Sequence, residues 1–181
     1  MTVSILVATL GRPTLERTLE SITSQMKASD QVIVIGATQA IGDRAAKYGC
    51  TFVMAKPGRD WGASERAVGI AHATGDYVAF LDDDDVYMPG ARDAMEAEML
   101  AHPGQAVIFR MQIARTGELL WRTPVAKMGN IGTPMMFLPT SVAKRGKWGR
   151  RYGNDFDFWS SMQWQPDQVV FSPAVIANIR P

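Results

Sequence analysis

Short apolar runs alternate with amphipathic stretches through the first half of the chain. Val3-Ser-Ile-Leu-Val-Ala8 is apolar and β-branched and stops at Gly11 and Pro13, the signature of a buried strand. Leu15, Leu19 and Ile22 then recur at helical spacing, with Pro13 or Thr14 opening the helix. A second strand is predicted over Val32 to Ile35, a helix over Ala40 to Tyr48, and a third strand over Thr51 to Ala55. Pro57, Gly58 and Gly62 mark a loop, after which Ser64 is placed to cap a helix reaching Ala73. Tyr77 to Leu81 is a fourth strand. This strand–helix rhythm implies a parallel sheet covered by helices on both faces.

The pattern changes after Pro89-Gly90. A helix is expected from Ala91 to His102, with Met95 and Met99 on one face. Strands over Val107 to Ile113 and Leu119 to Arg122 flank a turn at Thr116-Gly117, and Met135 to Leu138 is a further apolar run. Asn154 to Met162 reads as a short helix. The expected organisation is one α/β domain over 1–181, with a first half (1–90) of alternating elements and a mixed α+β second half (91–181).

Nineteen basic and eighteen acidic residues give a net charge of +1, so no global field draws the chain to nucleic acid. The basic stretch Lys144, Arg145, Lys147, Arg150 and Arg151 reads as solvated surface, or as a patch for an anionic acceptor. Cys50 is alone, which removes an internal disulfide and a Cys-based zinc site and fits a reducing compartment. No run approaches the ~20 apolar residues of a membrane helix, and the amino-terminal residues lack a basic leader. A cytoplasmic location is expected.

The chemistry concentrates where the fourth strand runs into Asp82-Asp83-Asp84-Asp85. Ligands of open α/β sheets gather at the carboxyl ends of strands, and adjacent carboxylates repel unless a cation settles them. Hard oxygen donors point to Mg²⁺ or Mn²⁺, which bridges the phosphates of a nucleoside diphosphate. A solvated acidic turn is the plain alternative. An EF-hand is excluded because Tyr87 stands where its loop needs glycine. A phosphatase of the haloacid dehalogenase type also places Asp-x-Asp after an apolar strand, but on its first strand and followed by a glycine-threonine turn.

Three segments, in order, resemble family 2 glycosyltransferases of GT-A fold. Val3 to Pro13 resembles the opening strand and nucleotide-contacting turn; Arg66-Ala-Val-Gly69-Ile with Ala73-Thr-Gly-Asp-Tyr77 and Phe80 to Asp85 resembles the central block. Gly153-Asn-Asp155-Phe-Asp157-Phe-Trp159 resembles the acidic segment that carries the catalytic base. The resemblance implies a metal-dependent, inverting transfer of a sugar from a nucleoside diphosphate donor, a UDP-sugar first among them, to an acceptor hydroxyl. It implies Asp84 and Asp82 as metal ligands, with Asp82 or Asp83 also reaching the donor ribose. Thr9, Arg12 and Arg66 would contact the nucleotide, and Asp155 would be the base.

Two positions depart from the family. The second strand ends Ile35-Gly36-Ala37-Thr38 rather than in nucleobase-reading acids, and Asn154 replaces a glutamate. Plainer roles exist for several residues: Asp155 as a helix cap, Asp157 as a capping or surface group, Arg12 as a turn residue, Arg66 as a polar helix residue. Trp121, Trp148, Trp159 and Trp164 are of a type that can stack on a sugar face, but a core or interface place is the plainer expectation and none is singled out as a site. His72 and His102 are expected to be structural. Alternatives to the transferase are the phosphatase and a nucleotide-binding module without turnover. Such a module would need the Asp loop but no base opposite it. Few residues follow the base segment, so a shallow acceptor site is expected, and a homo-oligomer is compatible with the sequence.

Overall fold

A computed structural model describes residues 1–181. Four parallel strands form one wing of the sheet: β1 (Val3–Ala8), β2 (Gln31–Gly36), β3 (Thr51–Met54) and β4 (Tyr77–Asp82), in the order β3-β2-β1-β4. Every residue of β1 is buried, which is why its sequence is a continuous apolar run rather than an alternating one. Helices α1 (Leu15–Thr23), α2 (Gln39–Ala46) and α3 (Ala63–His72) connect these strands, as the rhythm of the sequence predicts. Ser64 lies inside α3 and does not cap it. Gly62 is the capping residue, and the Asp60 carboxylate accepts from the Ser64 N–H at 3.2 Å and its hydroxyl at 2.6 Å. Aspartate four residues upstream therefore serves the exposed amides of the first turn.

The second wing continues the same nine-stranded sheet with mixed polarity. After the short β5 (Val86–Tyr87) and helix α4 (Ala91–Ala101) come β6 (Ala106–Ile113), β7 (Leu119–Leu120) and β8 (Met136–Pro139). Two helices follow, α5 (Thr140–Ala143) and α6 (Asn154–Ser161), and then β9 (Val169–Ile179). Strand β8 joins the wings by pairing antiparallel with both β4 and β6. Strand β7 is two residues shorter than Leu119 to Arg122 suggests. Arg122 instead donates its N–H to Asn130 at 2.9 Å. The eleven residues of β9 have no counterpart in the sequence reading. They pair parallel with β6 and antiparallel with β5, and so return the carboxyl-terminal residues to the Asp82–Asp85 turn. No helix is long and apolar enough to cross a membrane.

Candidate active site

The four aspartates have four different environments. Asp82 ends β4, keeps about a third of its side chain exposed and pairs with Arg66. Asp83 turns inward and is 3% exposed. Its Oδ2 accepts from the Thr9 hydroxyl at 2.6 Å and the Leu10 N–H at 3.3 Å, and its Oδ1 accepts from Arg12 Nη1 at 2.8 Å. Asp84 faces the cleft, 3.0 Å from Arg12 Nη1 and 3.6 Å from Arg180 Nε. Asp85 is buried beneath, accepting the Arg180 N–H at 3.0 Å. Burial, with Asp82 and Asp84 close by, pushes its carboxyl up to about 7.

This turn is held from below by α1. Thr14 and Thr18 donate their hydroxyls to the carbonyls of Asp83 and Asp85 at 2.6 and 2.7 Å. The facing turn after β1 is held by Arg44, which pairs with Glu16 and donates to the carbonyls of Gly11 at 2.8 Å and Arg12 at 2.7 Å. Gly11 sits at φ +84°, a conformation that costs a residue with a Cβ about 1–2 kcal/mol. Arg66 is buried, donating to the Trp61 carbonyl at 2.8 Å and lying over the Trp148 ring at 5.4 Å.

Two adjoining clefts open on this ground. The first, about 370 Å³, is lined by Thr9, Arg12, Arg66, Asp82, Asp83 and Asp84, so the structure gathers every residue expected to hold donor or metal. The second, about 460 Å³, shares Asp82, Asp84, Arg66, Trp61 and Arg180 with the first and is lined across from them by Asn154 and Asp155. Ile179 and Arg180, beyond the last element legible in the sequence, build one wall of this cleft.

Asp155 is the second residue of α6, and Gly153 is the capping residue, so Asp155 does not precede the helix. Its Oδ1 does accept the Phe156 N–H at 2.7 Å, while the side chain faces the cleft. Burial, aided by Asp82, raises its carboxyl above the usual range, against the pull of Arg66 and the Phe156 N–H. Asn154, where a glutamate was expected, donates to the Asp60 carbonyl at 2.7 Å and ties α6 to the loop before α3. Asp157 points away and pairs with Arg151 at 2.6 Å. Trp148 stacks on Phe158 and Trp159 on Trp164, both against the core, and Trp121 meets Phe171 edge-on. Arg180 and Trp61 escaped the sequence reading. Arg180 follows an unforeseen strand, and nothing in the pattern around Trp61 distinguishes it.

The profile of Glycosyl transferase family 2 matches residues 4–165. The chain belongs to this family. Its glycosyltransferase family 2 fold is shared with several solved structures. TarS residues 1–349 from S. aureus superposes with a TM-score of 0.81 at 15% identity, over 99% of this chain and 60% of that one. A glucosyl-3-phosphoglycerate synthase from Mycobacterium tuberculosis, in complex with Mn²⁺, UDP and phosphoglyceric acid, gives 0.74 at 18% identity, over 99% of this chain and 71% of that one. The mannosyltransferase PcManGT from Pyrobaculum calidifontis, in complex with GDP-Man and Mn²⁺, gives 0.72 at 17%, over 98% and 56%. The chain thus spans 60% or less of the TarS structures it matches. Among curated proteins, none matches the sequence.

Proposed function

We propose that this protein is a glycosyltransferase that moves a sugar from a nucleoside diphosphate donor to an acceptor hydroxyl, with inversion at the anomeric carbon. The observation that carries this reading is the pair of clefts meeting across Asp82, Asp84 and Arg66, with a carboxylate of raised proton affinity, Asp155, on the far wall. The phosphatase reading loses its ground with family membership, since the match runs through residues 4–165 and so takes in the Asp82–Asp85 turn.

Residues 1–90 carry the donor half. Thr9, Arg12 and Asp83 form one bonded cluster against the nucleoside, with Asp82 or Asp83 in reach of the ribose. Arg12, Arg59, Arg66 and Arg180 are the cations that line this cleft and are available to a diphosphate. A UDP-sugar is the first donor to test. Base discrimination is expected to be weak, because Gly36 and Ala37 offer only backbone where acids would read the base.

The donor set also fits Mn²⁺ or Mg²⁺. Asp82 and Asp84 are hard oxygen ligands that border both clefts. No three metal-binding side chains cluster there, and such ions commonly take one or two carboxylates with phosphates and water. Such an ion would neutralise the departing diphosphate. Residues 91–181 carry the acceptor half, where Asp155 takes the proton from the attacking hydroxyl. Its raised proton affinity brings it nearer the working pH than a solvated aspartate.

Calorimetry with UDP-sugars and Mn²⁺ tests the donor half: EDTA or Asp84→Ala should abolish most of the binding, and unchanged affinity in EDTA would overturn the metal assignment. Release of nucleoside diphosphate then separates an enzyme from a binding module, which binds the same donor without turnover.

A further inference from the structure

Two aromatic rings stand in the open on this molecule, Trp61 at 61% and Tyr152 at 81% exposure. They come from distant segments yet meet almost at right angles, ring centroids 6.3 Å apart and interplanar angle 76°. Both line the cleft that holds Asp155. Isolated exposed apolar side chains need no explanation. This pair is different because both of its supports are constrained.

Trp61 sits at φ +56°, a left-handed conformation that a β-carbon disfavours and that persists only where surroundings impose it. Those surroundings are buried and polar. Arg66 donates to the Trp61 carbonyl at 2.8 Å, Asn154 donates to the Asp60 carbonyl at 2.7 Å, and the Asp60 side chain is spent on Ser64. On the other side, Arg151 grips Asp157 with two bonds of 3.0 and 2.6 Å, and Gly153 turns the chain at φ +83° into α6. Tyr152 lies between these anchors. Burying polar groups to hold the Trp61 ring in water costs stability unless the ring meets something.

The chemistry of the cleft says what. Its lining sets the two rings and half-exposed Met128 beside the polar groups of Asn154 and Asp155, apart from Asp82 and Asp84, which the metal would take. A matching ligand presents a C–H face to the rings and hydroxyls to these polar groups, which is the amphipathy of a pyranose. An anionic ligand is disfavoured. With Asp82 and Asp84 assigned to the metal and Arg66 and Arg180 to the diphosphate, Asp155 and the buried Asp85 are the charges left along the cleft, and none of Lys144, Arg145, Lys147 and Arg150 lines it. We propose that Trp61 and Tyr152 form an aromatic corner that binds a pyranose ring of an uncharged saccharide. That this saccharide is the acceptor rests on the transferase reading.

Saturation-transfer NMR on the protein with UDP and Mn²⁺ tests the corner, using methyl β-glucopyranoside, methyl α-mannopyranoside and cellobiose as probes. Glucuronate, glucose 6-phosphate and glycerol serve as contrasts. Ring C–H protons of at least one neutral probe should saturate. Tyr152→Ala should weaken that binding roughly three- to tenfold, the range of an aromatic contact, and Tyr152→Phe should retain it. Calorimetry with UDP-sugar should be unchanged in Tyr152→Ala, since Tyr152 lines only the second cleft. Neutral probes that fail to bind, that bind Tyr152→Ala as tightly, or that bind more weakly than the anionic probes would overturn the proposal. If neutral probes bind through Tyr152 but UDP-sugar does not bind at all, the saccharide corner stands and the transferase reading falls.

Discussion

Asp155 is held between two demands. Its place in the cleft raises its proton affinity, chiefly through burial, so the folded protein holds that proton more tightly than the unfolded chain. A raised native pKa contributes stability that is complete below the unfolded value of about 3.9 and is lost as pH rises through the folded value. At neutral pH the ionised carboxylate therefore costs stability. Asp155→Asn keeps an oxygen for the Phe156 N–H and removes the charge. Its melting temperature at pH 7 should rise, while transfer falls ~10²–10⁴-fold with donor affinity intact. A second expectation concerns pH: the acid limb of the transfer rate should lie above the ordinary carboxylate range and vanish in the variant. Near-normal transfer in Asp155→Asn would leave the residue a structural member of the first turn of α6.

Among the elements, the apolar periodicity locates β1 to β4 and α1 to α4 within a residue or two, because all but the edge strand β3 pack on both sides or along one stripe. What periodicity misses is instructive. Strand β9 reads Val169-Val-Phe-Ser-Pro-Ala-Val-Ile-Ala-Asn-Ile179, half-buried at most positions, with a serine and a proline that break the apolar run. Its pairing with β6 shifts register near Arg110, so no clean alternation survives. The turn before β4 gives a sharper test. A Cβ at Gly75 would come 2.7 Å from the Ser4 N and 2.8 Å from the Val3 carbonyl carbon. Both are backbone atoms of the buried β1, with no flexible side chain to yield. Gly75→Ala should cost about 1–3 kcal/mol in urea unfolding and loosen the β1–β4 pairing that sets Thr9 beside Asp83. Hydrogen exchange at the buried Ser4 amide should quicken relative to the unsubstituted protein.

At the scale of the whole molecule, one ion pair ties the first wing to α4. Arg92 is fully buried and grips Asp30 with bonds of 2.7 and 3.1 Å, while Asp30 also accepts the Val3 N–H at 2.9 Å. Burial alone would raise the Asp30 carboxyl, but the bonds from Arg92, Lys27 and Val3 hold it below its usual value. Arg92→Ala strands that carboxylate and should destabilise the fold by about 3–5 kcal/mol, measured by urea unfolding. Replacing both residues by apolar ones of similar volume should recover much of the loss.

The sequence alone determined the parallel wing and the Asp82–Asp85 turn at its carboxyl edge, because these depend on local periodicity and on residues adjacent in the chain. The acidic segment around Asp155 stands out through its resemblance to the family. Tertiary structure decided the division of labour among four neighbouring aspartates. Alternation along a turn sends Asp83 inward to Thr9 and Arg12, bordering the first cleft alone, and leaves Asp82 and Asp84 bordering both, and only the packed neighbours reveal it. It also decided the second cleft. Asp60 with Asn154, Trp61 with Tyr152, and Arg180 with Asp84 are pairs far apart in the chain, brought together by β8 and β9 closing the sheet. A one-dimensional pattern holds no term for such contacts, since their energy exists only once the intervening chain has folded.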